Sequence, residues 1–260
     1  MTNPSGQPPS GIKAAVSSGL PCRCTPEMLP YGMAMQRLAL FDLDNTLVQR
    51  DQAFAAWAQE FTTEHGLDPK WATWLIFADA HHDGPMGTFF DLVRDEVALT
   101  TPAGELWRQY RHRMPQLVSC SAEDLAGLAK LRREDWKIGI VTNGMTDNQL
   151  GKIRNTGLDR HVDAWCISHD VGIRKPDPRI FQLAAHRCGL TIDGGGWMIG
   201  DSLTLDIAGG AGVGLRTVWI PESRLARQHA TYGPDFFLPP APDATVTSVA
   251  EAVDVLLTAE

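Results

Sequence analysis

No apolar run in this 260-residue chain approaches the roughly 18 residues that a membrane-spanning helix needs, so no membrane span is expected. Positive charge is scarce as well: 23 Lys and Arg stand against 31 Asp and Glu, a net charge of −8. That balance argues against a protein built to grip a nucleic-acid backbone or an anionic membrane surface. The five cysteines are odd in number and scattered, which leaves no disulfide framework to read. There is no basic start followed by an apolar block, the pattern of a secretory signal. Unpaired thiols and the missing signal predict a cytoplasmic location. What is present is length for one large domain or two modest ones. A hydrophobic share of 43% can bury a core without staples.

Residues 1–35 lack sustained apolar periodicity. Pro4, Pro8, Pro9, Pro21, Pro26 and Pro30 punctuate a stretch rich in Ser and Gly, which predicts a disordered tail. Cys22 and Cys24 form a C-x-C pair with no second Cys or His pair close by, and are read as unpaired thiols rather than metal ligands. Met28, Met33 and Met35 lie just before the first core strand and offer starts of translation that would omit the tail.

From Arg37 onward, short apolar runs alternate with helical patterns. Leu38–Phe41, Lys137–Val141, Ala164–Ile167, Trp197–Ile199 and Thr217–Ile220 read as buried strands. Asp147–Asn155, Pro176–Cys188 and Ser202–Ala211 read as helices between them, and a Thr245–Thr247 strand with an Ala250–Leu257 helix closes the unit. Continuous apolar strands separated by helices imply an α/β fold, a doubly wound, Rossmann-like parallel sheet covered on both faces.

One interval breaks the rhythm. Asp44 to Thr142 spans roughly 100 residues, where a single crossover needs a dozen or so. Within it Ala53, Phe54, Trp57 and Phe61 fall at helical spacing, as do Trp71, Trp74, Leu75 and Ala78, then Phe89, Phe90, Val93 and Val97, then Leu106, Tyr110 and Leu117. The eight tryptophans mostly fit this apolar spacing and are read as core. The pattern predicts a small helical cap domain over 51–118, inserted into a core domain of 36–50 and 119–260. The Ala122–Arg133 helix then returns to the sheet. An insertion after a strand's C-terminal end can roof a site there, where open parallel sheets bind ligands.

Chemistry-bearing residues fall at those ends. Asp42 and Asp44 follow the first strand two residues apart, so in extended chain both carboxylates face one spot. Two close acids either share a cation or split their pKa values, one serving as nucleophile and one as acid. Taken alone, the pair is equally a polar strand exit. Thr142-Asn143-Gly144 ends the second strand with a hydroxyl and backbone N–H groups that suit a phosphate oxygen. Lys175 precedes Pro176, which favours an extended lysine. Asp201 ends the fourth strand, where by itself it would be a helix N-cap, and Asp206 follows on the next helix. Carboxylates, a hydroxyl, an ammonium and a further carboxylate together make a site for a divalent cation and a phosphoryl group.

Asp42-Leu43-Asp44-Asn45-Thr46, Thr142-Asn143, Lys175-Pro176 and Gly200-Asp201-Ser202 with Asp206 resemble the four motifs of the haloacid dehalogenase superfamily, from about Leu38 to Ile220. The run Lys175-Pro176-Asp177-Pro178-Arg179-Ile180-Phe181 is similar to the branch whose helical cap lies between motifs one and two. The resemblance implies a Mg²⁺-dependent phosphatase acting on a small-molecule phosphate ester. Asp42 would attack phosphorus and become an aspartyl phosphate, and Asp44 would protonate the leaving oxygen and then deprotonate the attacking water. Asp42, the main-chain carbonyl of Asp44 and Asp201 would bind the metal. Thr142 and the Asn143 N–H would hold phosphoryl oxygens, Lys175 would neutralise charge, and Asp206 would orient Lys175 or reach the metal through water.

Other chemistries share parts of this pattern. A dehalogenase needs no acid two residues beyond its nucleophile, so Asp44 favours phosphate chemistry. A sugar phosphomutase keeps that acid and is separated by an assay for free phosphate. A non-catalytic phospho-acceptor is about half this length and has no helical insert. No nucleic-acid or membrane partner is expected, and the chain is expected to act as a monomer or weak homodimer. The polar turn from about Asp79 to Gly87, with His81-His82-Asp83, is implied to reach over the nucleophile, so that His82 or Asp83 contacts the leaving group. Thr142-Asn143-Gly144 with Gln149 and Lys152-Ile153 resembles nucleotide and acyl-sugar phosphatases of this branch. Arg108, Arg111, His112 and Arg113 read as a solvated helix face.

Overall fold

The apolar runs become strands of one parallel sheet. In the computed structural model, β1 (Leu38–Phe41), β2 (Lys137–Thr142), β3 (Ala164–Ile167), β4 (Trp197–Gly200), β5 (Arg216–Trp219) and β6 (Ala244–Thr245) run in the order β3-β2-β1-β4-β5-β6. The structure describes residues 36–82, 84–221 and 240–259. The tail and its cysteines, and Asp83, lie outside them. Every pairing is parallel, with Phe41 level with Ile140 on one side and Ile199 on the other. The strand order therefore departs from β1 in both directions, and the crevice at this switch point is where such sheets take ligands.

Alternation along β1 sends Ala39 and Phe41 into one hydrophobic layer and Leu38 and Leu40 into the other. The second layer is closed by α8 (Pro178–Arg187), whose Ile180, Phe181, Ala184 and Ala185 form one buried stripe. The first is closed by α5 (Ala122–Arg133) and α10 (Val249–Thr258), which pack on each other. Ser121 and Ser248 cap these two helices, accepting from the N–H of Asp124 at 2.9 Å and of Glu251 at 3.2 Å.

The long interval folds as four helices, α1 (Arg50–Glu64), α2 (Lys70–Ala80), α3 (Met86–Val97) and α4 (Ala103–Leu117). Phe54, Trp57, Phe61, Phe89, Phe90 and Tyr110 make their shared aromatic core. α4 rests on α6 (Thr146–Asn155) of the sheet layer. The approach is close: a side chain at Gly151 would meet the Pro115 ring at 2.8 Å.

Several expectations are corrected. Trp57, Trp71, Trp74 and Trp107 lie in the insert, and of these only Trp57 is buried; α2 turns little more than Leu75 and Asp79 inward. Arg111 and Arg113 do not face solvent freely: Arg111 bonds Asp147 on α6 at 2.7 Å, and Arg113 bonds Glu60 on α1 at 2.7 Å through two nitrogens. The stretch from Ser202 to Ala211 is not one α-helix. It opens with a wider π turn over Leu203–Ile207 and tightens to α9 (Ala208–Ala211). A short helix, α7 (Ser168–Val171), follows β3. No helix among the described residues is long and apolar enough to cross a membrane.

Candidate active site

β1 delivers Asp42 to the sheet's C-terminal edge. The Asp42 N–H still bonds the Ile199 carbonyl at 2.9 Å, so the strand pairing runs one residue past Phe41. The chain then curls, with the amides of Leu47 and Val48 donating to the Leu43 carbonyl. Asn45 takes φ 59°, a left-handed conformation that asparagine tolerates, and its side chain binds Asp51 at both N–H and carboxylate.

Asp42 meets Lys175, which is buried, at 2.5 Å. The same Nζ donates to Asp206 at 2.6 Å. Asp206 is fully buried, and its other oxygen accepts the Ser202 N–H at 3.0 Å. Gly200 leaves room for this, since a Cβ there would collide with the Asp206 carboxylate. The backbone of Lys175 is clamped as well: Asn143 Oδ1 accepts its N–H at 2.9 Å, and Asn143 Nδ2 donates to its carbonyl at 3.1 Å. The Lys175–Pro176 bond is cis. Ser202, not Asp201, caps the turn that follows β4, accepting the Leu205 N–H at 3.2 Å. Asp201 is half-buried, and its main-chain carbonyl accepts from the Trp219 indole at 2.9 Å.

Carboxylate oxygens of Asp42, Asp201 and Asp206 lie within 4.8 Å of one another. Burial pushes the Asp42 carboxyl up to about 7; Lys175 opposes that shift and Asp206 adds to it. Burial alone would lower the Lys175 ammonium, but Asp206 and Asp42 more than offset it and hold it above its ordinary value. Three clustered oxygen donors with one ammonium among them suit a hard divalent cation.

Asp44 turns to different partners. Lys152 of α6 sits 2.6 and 2.9 Å from its two oxygens, and Gln149 Nε2 donates to it at 3.0 Å. Gln149 also donates to the Thr142 hydroxyl at 2.6 Å, tying the end of β2 to Asp44. Burial would raise the Asp44 carboxyl, but the Lys152 charge, hydrogen bonds from Lys152 and Gln149, and Arg50 bring it below its ordinary value. Burial lowers the Lys152 ammonium, and Asp44 only partly restores it.

Asp42, Asp44, Thr142, Asn143, Lys175, Asp201 and Asp206 thus line one cavity of about 320 Å³, with Arg50 at the start of α1 and Asp79 and His82 from the insert. The turn that carries His82 is shorter than expected, because Asp79 belongs to the end of α2 and Met86 and Gly87 to α3. His82 Nε2 lies 3.1 Å from the Pro85 carbonyl, and its ring packs edge-on against Phe89. Asp83, paired with His82 in the sequence reading, lies outside the described residues.

Lys152, Gln149, Arg50 and Asp79 are not among the residues that the sequence singles out as catalytic or binding. Lys152 and Gln149 carried only a motif resemblance, and nothing in their spacing marks them as buried. Arg50 and Asp79 lie 29 positions apart, on two helices whose pairing no local pattern reveals. Their side chains form a two-pronged ion pair, Nη2 to Oδ1 at 2.6 Å and Nη1 to Oδ2.

The haloacid dehalogenase-like hydrolase family matches residues 39–220. The pyrophosphatase PpaX of Bacillus pumilus is 29% identical over 203 residues, 76% of this chain and 90% of its own. The phosphoserine phosphatase of Thermus thermophilus is 38% identical over 95 residues, 36% of this chain. That match spans 38% of the relative's own length, so the chain covers less than half of it. Among solved structures, the provisionally named HAD-hydrolase YfnB of Bacillus subtilis, bound to magnesium, superposes with a TM-score of 0.65 at 24% identity, covering 86% of this chain and 100% of its own. Haloacid dehalogenases also share the fold.

Proposed function

This chain belongs to the haloacid dehalogenase-like hydrolase family, and we propose that it is a magnesium-dependent phosphatase that hydrolyses a small-molecule phosphate monoester through a phosphoryl group carried on Asp42. One observation carries the reading. Two carboxylates in one cavity stand in opposite electrostatic settings, Asp42 with Lys175 and a crowd of acids, Asp44 with Lys152 and Gln149. Such a division gives the two acids separate roles: Lys152 and Gln149 favour the ionised Asp44 that takes a proton from water, and Lys175 opposes the burial that would otherwise keep the Asp42 nucleophile protonated. A dehalogenase has no use for the second carboxylate. The phosphatases among the relatives and the magnesium held by one structural neighbour support the same reading.

In the first displacement an Asp42 oxygen attacks phosphorus and the ester P–O bond breaks, while Asp44, bearing the proton it took from water in the preceding turnover, gives that proton to the leaving oxygen. In the second, water attacks the same phosphorus, Asp44 takes the water's proton, and the bond from phosphorus to Asp42 breaks. The sum is ester plus water to alcohol plus phosphate. Thr142 and the Asn143 N–H hold the phosphoryl oxygens, and Lys175 offsets the charge of Asp42 and phosphate. Asp206 positions Lys175. Asp42 and Asp201 through their carboxylates, and Asp44 through its main-chain carbonyl, would hold magnesium. When bound, magnesium supplies the positive charge that lets a phosphate dianion approach these acids. The insert, residues 51–118, serves as a cap over a core of 36–50 and 119–260, with His82 on its substrate side.

The test is phosphate release from p-nitrophenyl phosphate with and without metal. EDTA should silence the protein and Mg²⁺ restore it. Full activity without a divalent cation would remove the metal role from Asp201, and no release under any condition would sink the phosphatase reading.

A further inference from the structure

The side of the cavity formed by α1 and α2 has its own charge balance. Arg50, at the start of α1, and Asp79, in the last turn of α2, are both buried and both line it. The Arg50 guanidinium is engaged by both Asp79 oxygens and by Asp51 Oδ1 at 3.1 Å. It also lies 5.0 Å from the centre of the Phe54 ring. One cation therefore faces two carboxylates. Lys152, the next cation, is taken up by Asp44. Lys175 belongs to the phosphoryl end, between Asp42 and Asp206. Among the described residues, this side of the cavity presents no uncommitted cation.

We infer that the Arg50–Asp79 pair restricts the protein to phosphate esters of small neutral or cationic alcohols, such as polyols and amino alcohols, and excludes esters that carry a second anionic group. The inference rests on the phosphatase reading and names its substrate class. A carboxylate or second phosphate on the leaving group would enter beside Asp44 and Asp79, which already engage Lys152 and Arg50, in a buried place where solvent and salt screen little. A hydroxyl can donate to a carboxylate oxygen there, and an ammonium is attracted. The cavity of about 320 Å³ sits at the small end of ligand sites, which suits a phosphoryl group and a few more heavy atoms.

The experiment compares kcat/KM of the full chain, with Mg²⁺, on glycerol phosphate, phosphoethanolamine, phosphoglycolate and phosphoglycerate, with p-nitrophenyl phosphate as reference. The neutral and cationic esters should exceed the two carboxylate esters by about tenfold or more, as expected of a like charge brought near a buried carboxylate. Asp79→Asn should narrow that ratio, mainly through KM of the anionic esters; the ratio is read within one variant, so a general loss cancels. Arg50→Gln leaves the acids uncompensated and should instead raise phosphoethanolamine over glycerol phosphate. Phosphoglycolate turned over as well as glycerol phosphate by the unaltered protein would overturn the inference while leaving phosphatase activity intact. Folded variants with unchanged ratios would take the discrimination away from this pair. No hydrolysis of any ester, p-nitrophenyl phosphate included, would overturn the phosphatase reading and the inference with it.

Discussion

Lys152 holds Asp44 by both carboxylate oxygens, at 2.6 and 2.9 Å, from a position 108 residues further along the chain. The lysine stands on α6, a helix of the sheet layer, and is almost wholly buried. The proton-carrying acid of the proposed reaction is thus fixed from the sheet side rather than by the insert. Lys152→Met keeps the apolar stem and removes the charge. Without that charge Asp44 is no longer held below its ordinary value, so the loss of about 10²-fold in kcat expected on an alkyl phosphate, where the leaving oxygen needs a proton, comes from the displaced carboxyl and not from its ionisation. On p-nitrophenyl phosphate, whose leaving group departs unprotonated, the loss should be far smaller. Equal losses on both esters would show that Lys152 only supports the fold.

Asp206 bridges Lys175 and the Ser202 N–H from a fully buried position. Asp206→Asn keeps the shape and removes the charge that shares Lys175 with Asp42. The magnesium concentration for half-maximal activity should rise by about tenfold to 100-fold, the usual cost of removing a partner that orients a metal site. A magnesium titration reads it, and an unchanged midpoint would separate Asp206 from the site.

Phe90 touches Trp57, Phe89, Trp107 and Tyr110 from the middle of the insert. Phe90→Ala leaves a hole among these rings and should cost about 3–5 kcal/mol in denaturant unfolding. A cost below about 1 kcal/mol would mean that the rings repack without it.

Much of this arrangement can be read from the residues alone. Short apolar runs such as Leu38–Phe41 read as strands buried on both faces, and Asp42, Thr142 and Asp201 at three strand ends, with Lys175 just before a helix, point to one place on the sheet. The insert's helices follow from the spacing of Phe54, Trp57, Phe61 and Phe90. What stayed hidden depends on tertiary pairing. A lysine on a helix is normally solvated, so the burial of Lys152 against Asp44 has no local signature. Arg50 and Asp79 read as ordinary charged helix residues until two helix ends meet. The π turn at Leu203–Ile207 is invisible to a 3.6-residue period, and it is the turn that carries Asp206. Trp71 and Trp74 fit a core stripe by spacing, yet α2 buries only a narrow edge.

The central claim is that Asp42 attacks phosphorus. The most direct measurement is steady-state phosphate release by Asp42→Asn beside the unaltered protein, with circular dichroism and melting temperature confirming that both are folded. A neutral amide has no carboxylate oxygen to form the phosphoryl bond, so release should fall below about 1% of the original rate. Turnover of more than a few per cent by the folded variant, with Mg²⁺ present, would contradict the account.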